Sequence, residues 1–200
     1  MPPMAWIRED EPSSTPSSRT PRVPRYDRAV SGADLPYHEI PAPPEGVRGA
    51  AVMARLVDGL GFRLRWATEG LRPQDLDFRP GADSMTLREL LHHVGRLIGW
   101  LDQHLGGPPL ADLPADCEAQ RAAALGRLAA LRARLLALPD EQLREITITG
   151  KVGTAALPFW NMVNGPLADA LTHVGQINAW RRLSGNPSPR ADVFRGRPPG

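Results

Sequence analysis

The stretch "TLRELLHHVGRLIGWL", Thr86 to Leu101, constrains the fold most. Leu87, Leu90, Leu91, Val94, Leu97, Ile98 and Leu101 recur at three- and four-residue spacing, which places them on one face of an α-helix. Thr86 and Glu89 form a T-x-x-E capping box ahead of that run. A helix with one apolar stripe must bury it against other elements. Three further stretches offer partners. Val52, Leu56, Leu60, Phe62, Leu64 and Trp66 predict a helix over about 47–69, stopped by Gly70. The Ala/Leu/Arg-rich segment at about 116–138 has strong helix propensity, and "LPDEQL" ends it. The last helix starts near Asn164-Gly165-Pro166, with Pro166 suited to a first helical turn, and ends at Ser184 or Gly185. Before it, "EITITGKVGTAALPFWN" alternates apolar and polar residues around Gly150, as in a short hairpin or extended connector.

These signals predict an all-α chain: a four-helix bundle with a short extended or hairpin connector before its last helix. The 200 residues suffice for one sizeable core. Residues 1–45, rich in Pro, Ser and Arg, read as a disordered or loosely packed tail, with Trp6 and Tyr26 as candidate docking residues. Residues 46–190 read as the helical domain and 191–200 as an extended C-terminal tail.

The totals narrow the function classes. Formal net charge is +2, and the basic residues, of which Lys151 is the only lysine, form no block, so no nucleic-acid partner is expected. No stretch approaches the roughly 20 apolar residues of a membrane helix, and the N-terminus has no apolar run of the signal-peptide kind. Cys117 stands alone, which fits a reducing compartment. A cytoplasmic protein is expected.

The informative residues are polar ones at the edge of apolar faces. At about 100° per residue, His93 falls beside Leu90 and Leu97, and His92 turns to the polar side. In the last helix Asp169, His173, Gln176 and Trp180 share a stripe, and Asp169 and His173 stand one turn apart, close enough to reach one point. His93, Asp169 and His173 together offer three protein ligands to a divalent metal, with a position left for water or substrate. The alternatives are a structural hydrogen bond between Asp169 and His173, or side chains solvated at the bundle end. His104, eleven residues past His93, is about 16 Å away along the helix and does not join them. Gly95 and Gly99 form a G-x-x-x-G step suited to the close approach of another helix. Trp66, Trp100, Trp160 and Trp180 read as core and pocket walls. Arg181 and Arg182 suit the C-terminal end of their helix dipole. Asn161 and Asn164 read as caps or braces of the last helix.

"TLRELLHHVGRLIGWL", "ALTHVGQINAWRR" and "GLRPQDLDFRPGADSMT" resemble, in order and spacing, the motifs of the DinB/damage-inducible superfamily of metal-binding helical-bundle proteins, over roughly residues 50–187. The resemblance implies a DinB-like four-helix bundle holding a divalent metal on three side chains, usually all histidine. Carried over, the ligands are His93 and His173. The other fourth-helix histidine falls on Asp169, a departure from the pattern. Two histidines and one carboxylate still suit zinc foremost, and iron, manganese or nickel. Some relatives transfer low-molecular-weight thiols to electrophiles, and a few look like hydrolases. The expectation is therefore a metal-dependent thiol transferase, or a hydrolase, acting on a small molecule, with a homodimer as the candidate assembly. The rival is a non-catalytic stress-response or small-molecule-binding module without metal.

Overall fold

The computed structural model describes residues 34–110, 112–149 and 156–200. Four long helices carry most of it: α1 (Gly49–Thr68), α2 (Leu87–His104), α3 (Cys117–Ala137) and α6 (Ala168–Leu183). Between α3 and α6 lie a short α4 (Asp140–Glu145), the two-residue strands β1 (Thr147–Ile148) and β2 (Leu157–Pro158), and a single turn α5 (Trp160–Met162). The strands pair antiparallel, with Ile148 opposite Leu157. No helix among the described residues is long and apolar enough to cross a membrane.

The helix ends are set by local chemistry and, in one case, by a remote residue. The Thr86 hydroxyl accepts from the Glu89 amide at 3.2 Å, and the Glu89 carboxylate accepts from the Thr86 amide at 2.7 Å. Asp116 caps α3 by accepting from the Ala119 amide at 2.8 Å. Arg48, just ahead of α1, has no side chain able to cap it. The Asp140 carboxylate does so instead, accepting from Gly49 at 2.7 Å and Ala50 at 2.9 Å. Arg48 in return donates to the carbonyls of Leu138 and Leu136, at the end of α3. The start of α1 and the end of α3 thus satisfy each other's orphan groups.

Side-chain contacts fix the directions. Arg121 reaches Thr68 and Arg132 reaches Asp58, so α1 and α3 are antiparallel. Arg88 lies by Cys117 and Asp102 by Arg127, so α2 and α3 are parallel. Trp180 donates to the Met85 carbonyl while His93 faces Asp169, so α2 and α6 are antiparallel. α1 packs on α3 and α6, α2 packs on the same two, and Leu60, Leu90, Ile98, Leu128 and Ile177 fill the space between, fully buried.

A parallel α2–α3 pair needs a connection that runs back along the helices. It does so over the G-x-x-x-G step. A Cβ on Gly99 would collide with Leu110, and one on Gly95 would sit 3.0 Å from Leu113. The small residues admit the returning loop, not another helix as expected.

Other expectations are also corrected. Val52 and Leu56 are exposed rather than core, and Trp160 is 73% exposed. They line an apolar groove of about 530 Å³ between α1, α4 and α5. "LPDEQL" ends α3 but also starts α4. A short helical turn, α5, precedes the last helix, but helical backbone breaks at Gly165 within the π-type turn Val163–Leu167, and the last helix starts anew at Pro166 as the sequence predicts. Proline has no amide to leave unbonded there, and its fixed φ suits a first helical turn.

The packed chain also starts earlier than Gly46. Leu35 and Tyr37 are buried, and a Cβ on Gly61 would lie 2.6 Å from the Tyr37 ring, so that glycine makes the notch the ring occupies. Arg55 and Arg132 hold the carbonyls of Pro41 and Ala42. Residues 1–33, with Trp6 and Tyr26, lie outside the described residues. At the other end the chain is not simply extended: a turn bridged by Asp192 and Arg197 packs on Ile40, whose amide donates to the Gly196 carbonyl at 2.9 Å.

Candidate metal centre

α2 and α6 bring His93, Asp169 and His173 together. One ligand atom from each lies within 4.8 Å of the others. His93 Nε2 is 3.4 Å from Asp169 Oδ2, and His173 Nε2 is 3.3 Å from Asp169 Oδ1. The imidazoles meet edge to face with centroids 4.7 Å apart. Asp169 is in the first turn of α6, where its charge also suits the helix dipole.

The phase of α2 decides which histidine takes part. His92 is exposed, and His93 is turned toward α6 with its side chain 40% exposed. Asp169 is 46% and His173 12% exposed. The cluster is open to water on the His93–Asp169 side and backed by the buried Ala170, Val174 and Ile177. His104 is elsewhere, its Nδ1 2.8 Å from the Trp100 carbonyl.

Gln176 adds what the sequence showed only as a position on the same stripe. Its Oε1 is 2.7 Å from His173 Nδ1. An amide oxygen only accepts, so Nδ1 donates. In the neutral ring that leaves a lone pair on Nε2, facing a carboxylate oxygen at 3.3 Å. Two acceptors at that distance repel unless a cation or a second proton stands between them. Both nitrogen–carboxylate distances exceed the roughly 2.7–2.9 Å of a charge-assisted hydrogen bond. They are near the ~3.3–3.4 Å separating neighbouring donors around a tetrahedral zinc with ~2.0–2.1 Å bonds. Two of the three donor separations therefore match those around a divalent ion, and the third lies within 4.8 Å.

A cleft of about 550 Å³ adjoins Asp169, walled by Leu97, Trp100, Asn164, Pro166 and Thr172. The π-type turn shapes it, Gly165 departing from helical backbone at φ −91°, ψ −110°. Asn164 is thus a cleft residue and caps nothing. Sequence spacing did not reveal this wall, because it depends on how the turn at Gly165-Pro166 is wound.

The remaining singled-out residues are accounted for elsewhere. Burial pushes the Cys117 thiol up, against the pull of Arg88, so it is not an activated nucleophile. Arg181 is buried and serves the end of another helix, donating to the carbonyls of Ala67 in the last turn of α1 and of Glu69 and Gly70 just beyond it. Comparison with protein-family models, curated proteins and solved structures finds no match to this chain.

Proposed function

We propose that the protein is a DinB-like four-helix bundle that binds one divalent metal, zinc foremost, on His93, Asp169 and His173. Within that reading it is a cytoplasmic transferase that joins a small thiol to an electrophile. The observation that carries it is the His173–Asp169 contact. An imidazole already donating at Nδ1 points its other nitrogen at a carboxylate, beside a second imidazole. A bound dication resolves that repulsion and, by lowering the pKa of a thiol, supplies a nucleophile at neutral pH.

The chain's own residues supply the rest. Gln176 fixes the His173 tautomer and ring plane. The Asp169 carboxylate supplies negative charge against the cation. Trp100, Leu97 and the π-type turn form an apolar wall for an electrophilic substrate next to Asp169. Asn164 and Thr172 provide the polar contacts in that cleft.

Calorimetric titration with Zn(II) tests the ligand set. The unaltered protein and His92→Ala bind one ion per chain. Gln176→Ala binds roughly tenfold more weakly, as for lost outer-shell support. Asp169→Asn loses more, and Asp169→His retains the ion. An unchanged affinity in Asp169→Asn rules the assignment out. Turnover of a small thiol with a chromogenic aryl halide, abolished by chelation and restored by Zn(II), tests the reaction class.

A further inference from the structure

A second concave site lies on the α1–α6 face. It has about 570 Å³ and is lined by Arg63 of α1, Arg182 of α6 and Arg190 of the C-terminal segment, together with Phe62, Trp66 and Asn178. No carboxylate among the described residues lines it. That distinguishes these arginines from those of α3, where Arg121, Arg127, Arg132 and Arg134 all meet Asp or Glu. Among the described residues the Arg63 side chain makes one bond, to the Gly59 carbonyl of its own helix at 3.2 Å. Arg182 and Arg190 make no ion pair or hydrogen bond among the described residues.

The surroundings reinforce the positive potential. Arg181, fully buried in the adjacent part of α6, donates only to carbonyls, including Asn186 at 2.9 Å and Ala67 at 2.9 Å. It covers the negative end of α1 without a carboxylate in contact. The wall that carries Arg190 is held in place. Ser188 Oγ donates to Asn178 Oδ1 at 2.6 Å, and Pro187 and Pro189 stiffen the segment around it. Trp66 is fixed by its indole N–H, which donates to the His38 carbonyl at 3.2 Å.

The lining of this cleft carries three guanidinium side chains and no carboxylate among the described residues, and a bound dianion supplies the counter-charge. Guanidinium geometry matches phosphate oxygens in paired hydrogen bonds. The cavity is of small-molecule size, within the ~300–1,000 Å³ common for ligand sites, and one side of it is aromatic. We infer that this cleft binds a small organic phosphate, its dianionic head on Arg63, Arg182 and Arg190 and its apolar body against the Trp66 indole. The site is independent of the metal centre.

The test is calorimetric titration of the metal-free full chain with phenyl phosphate and with inorganic phosphate. Phenyl phosphate binds one to one and more tightly than inorganic phosphate. The exposed pair Arg182→Gln plus Arg190→Gln leaves the melting temperature without ligand unchanged and weakens binding by roughly tenfold or more, the loss expected for charged hydrogen bonds. Arg63→Gln weakens it on its own, and Asp169→Asn does not. Lack of saturation at millimolar phenyl phosphate overturns the inference, as does full affinity in the double variant. Loss of binding in Asp169→Asn also overturns it, placing the anion at the other site. Vesicles of phosphatidylcholine with phosphatidic acid separate a lipid headgroup from a free phosphate. Vesicle binding that needs Arg182 and Arg190, in a protein that ignores phenyl phosphate, overturns the small-molecule assignment.

Discussion

The α1–α3 seam and the α2–α6 seam both hold a carboxylate against nitrogen groups, and they use it in opposite ways. Asp58 in α1 is completely buried, with Arg132 Nε 2.8 Å from one oxygen and Arg55 3.7 Å from the other. Burial pushes its carboxyl up while Arg132 pulls it down. At the other end of the same seam, Arg121 reaches both Thr68 and Glu69. Asp169 in α6 is nearly half exposed and faces two imidazoles beyond good hydrogen-bond length. Where water is excluded, a charge is tolerable only when its partner is permanent, so the pair belongs to the fold. Where water reaches, the same groups cost little to hold and stay free to take a ligand. Completeness of pairing separates structure from site here more clearly than residue type does.

The largest expected effect breaks that contrast at its buried side. Arg132→Met keeps most of the apolar stem but leaves Asp58 buried with one distant partner, and should lose about 3 kcal/mol of unfolding free energy at neutral pH. The loss should shrink as pH falls, because protonating Asp58 removes the buried charge, which its raised pKa favours. Asp169→Ala in the metal-free protein should change stability by no more than about 0.5 kcal/mol. Denaturant melts of both variants across pH measure the pair. Equal losses would show that the two seams do not differ in kind.

Next in size is the notch on α1. Gly61→Ala gains helix propensity but drives a methyl into the buried Tyr37 ring, for a net loss of about 1–2 kcal/mol. Combined with Tyr37→Ala, it should add little to the loss from Tyr37→Ala alone. Additive losses in thermal melts would mean that the ring is not what the glycine accommodates.

The smallest effect concerns acid stability. Hydrogen bonds from the Arg72 side chain, and then from its amide and from Asn186, hold the Asp75 carboxyl well below the usual carboxylate range. A depressed folded pKa contributes stability that is fully present above the ordinary value of about 3.9 and is lost as pH falls below it. Asp75→Asn should therefore melt lower at neutral pH and show a shallower decline between about pH 4 and 2. A parallel decline in the two proteins would remove Asp75 from the set of structural charges.

Much of the architecture was legible in local patterns. The capping box at Thr86, the N-cap at Asp116 and the apolar periodicity of α2 are properties of adjacent residues, and α2 and α3 form where those signals place them. The same arithmetic turned His93 and not His92 toward α6. It failed at Val52, Leu56 and Trp160, which carry the right residue types but meet a groove instead of a neighbour. The proline signal held at Pro166, where the backbone breaks at Gly165 and the last helix resumes, although the short turn at Trp160–Met162 ahead of the break was not foreseen.

What the sequence determined by itself, then, is the set of helices and the face each polar residue takes, because backbone hydrogen bonding and side-chain periodicity act over three or four positions. Only the tertiary structure decided which faces meet. Asp140 caps a helix that starts some ninety residues before it. Leu110 and Leu113 fill the Gly99 and Gly95 notches because α2 and α3 are parallel and their connection must return. Three arginines from two helices and a C-terminal segment reach one cleft for the same kind of reason. Helix directions and loop paths depend on burying the apolar stripes together, a condition on the whole chain that no short stretch of it contains.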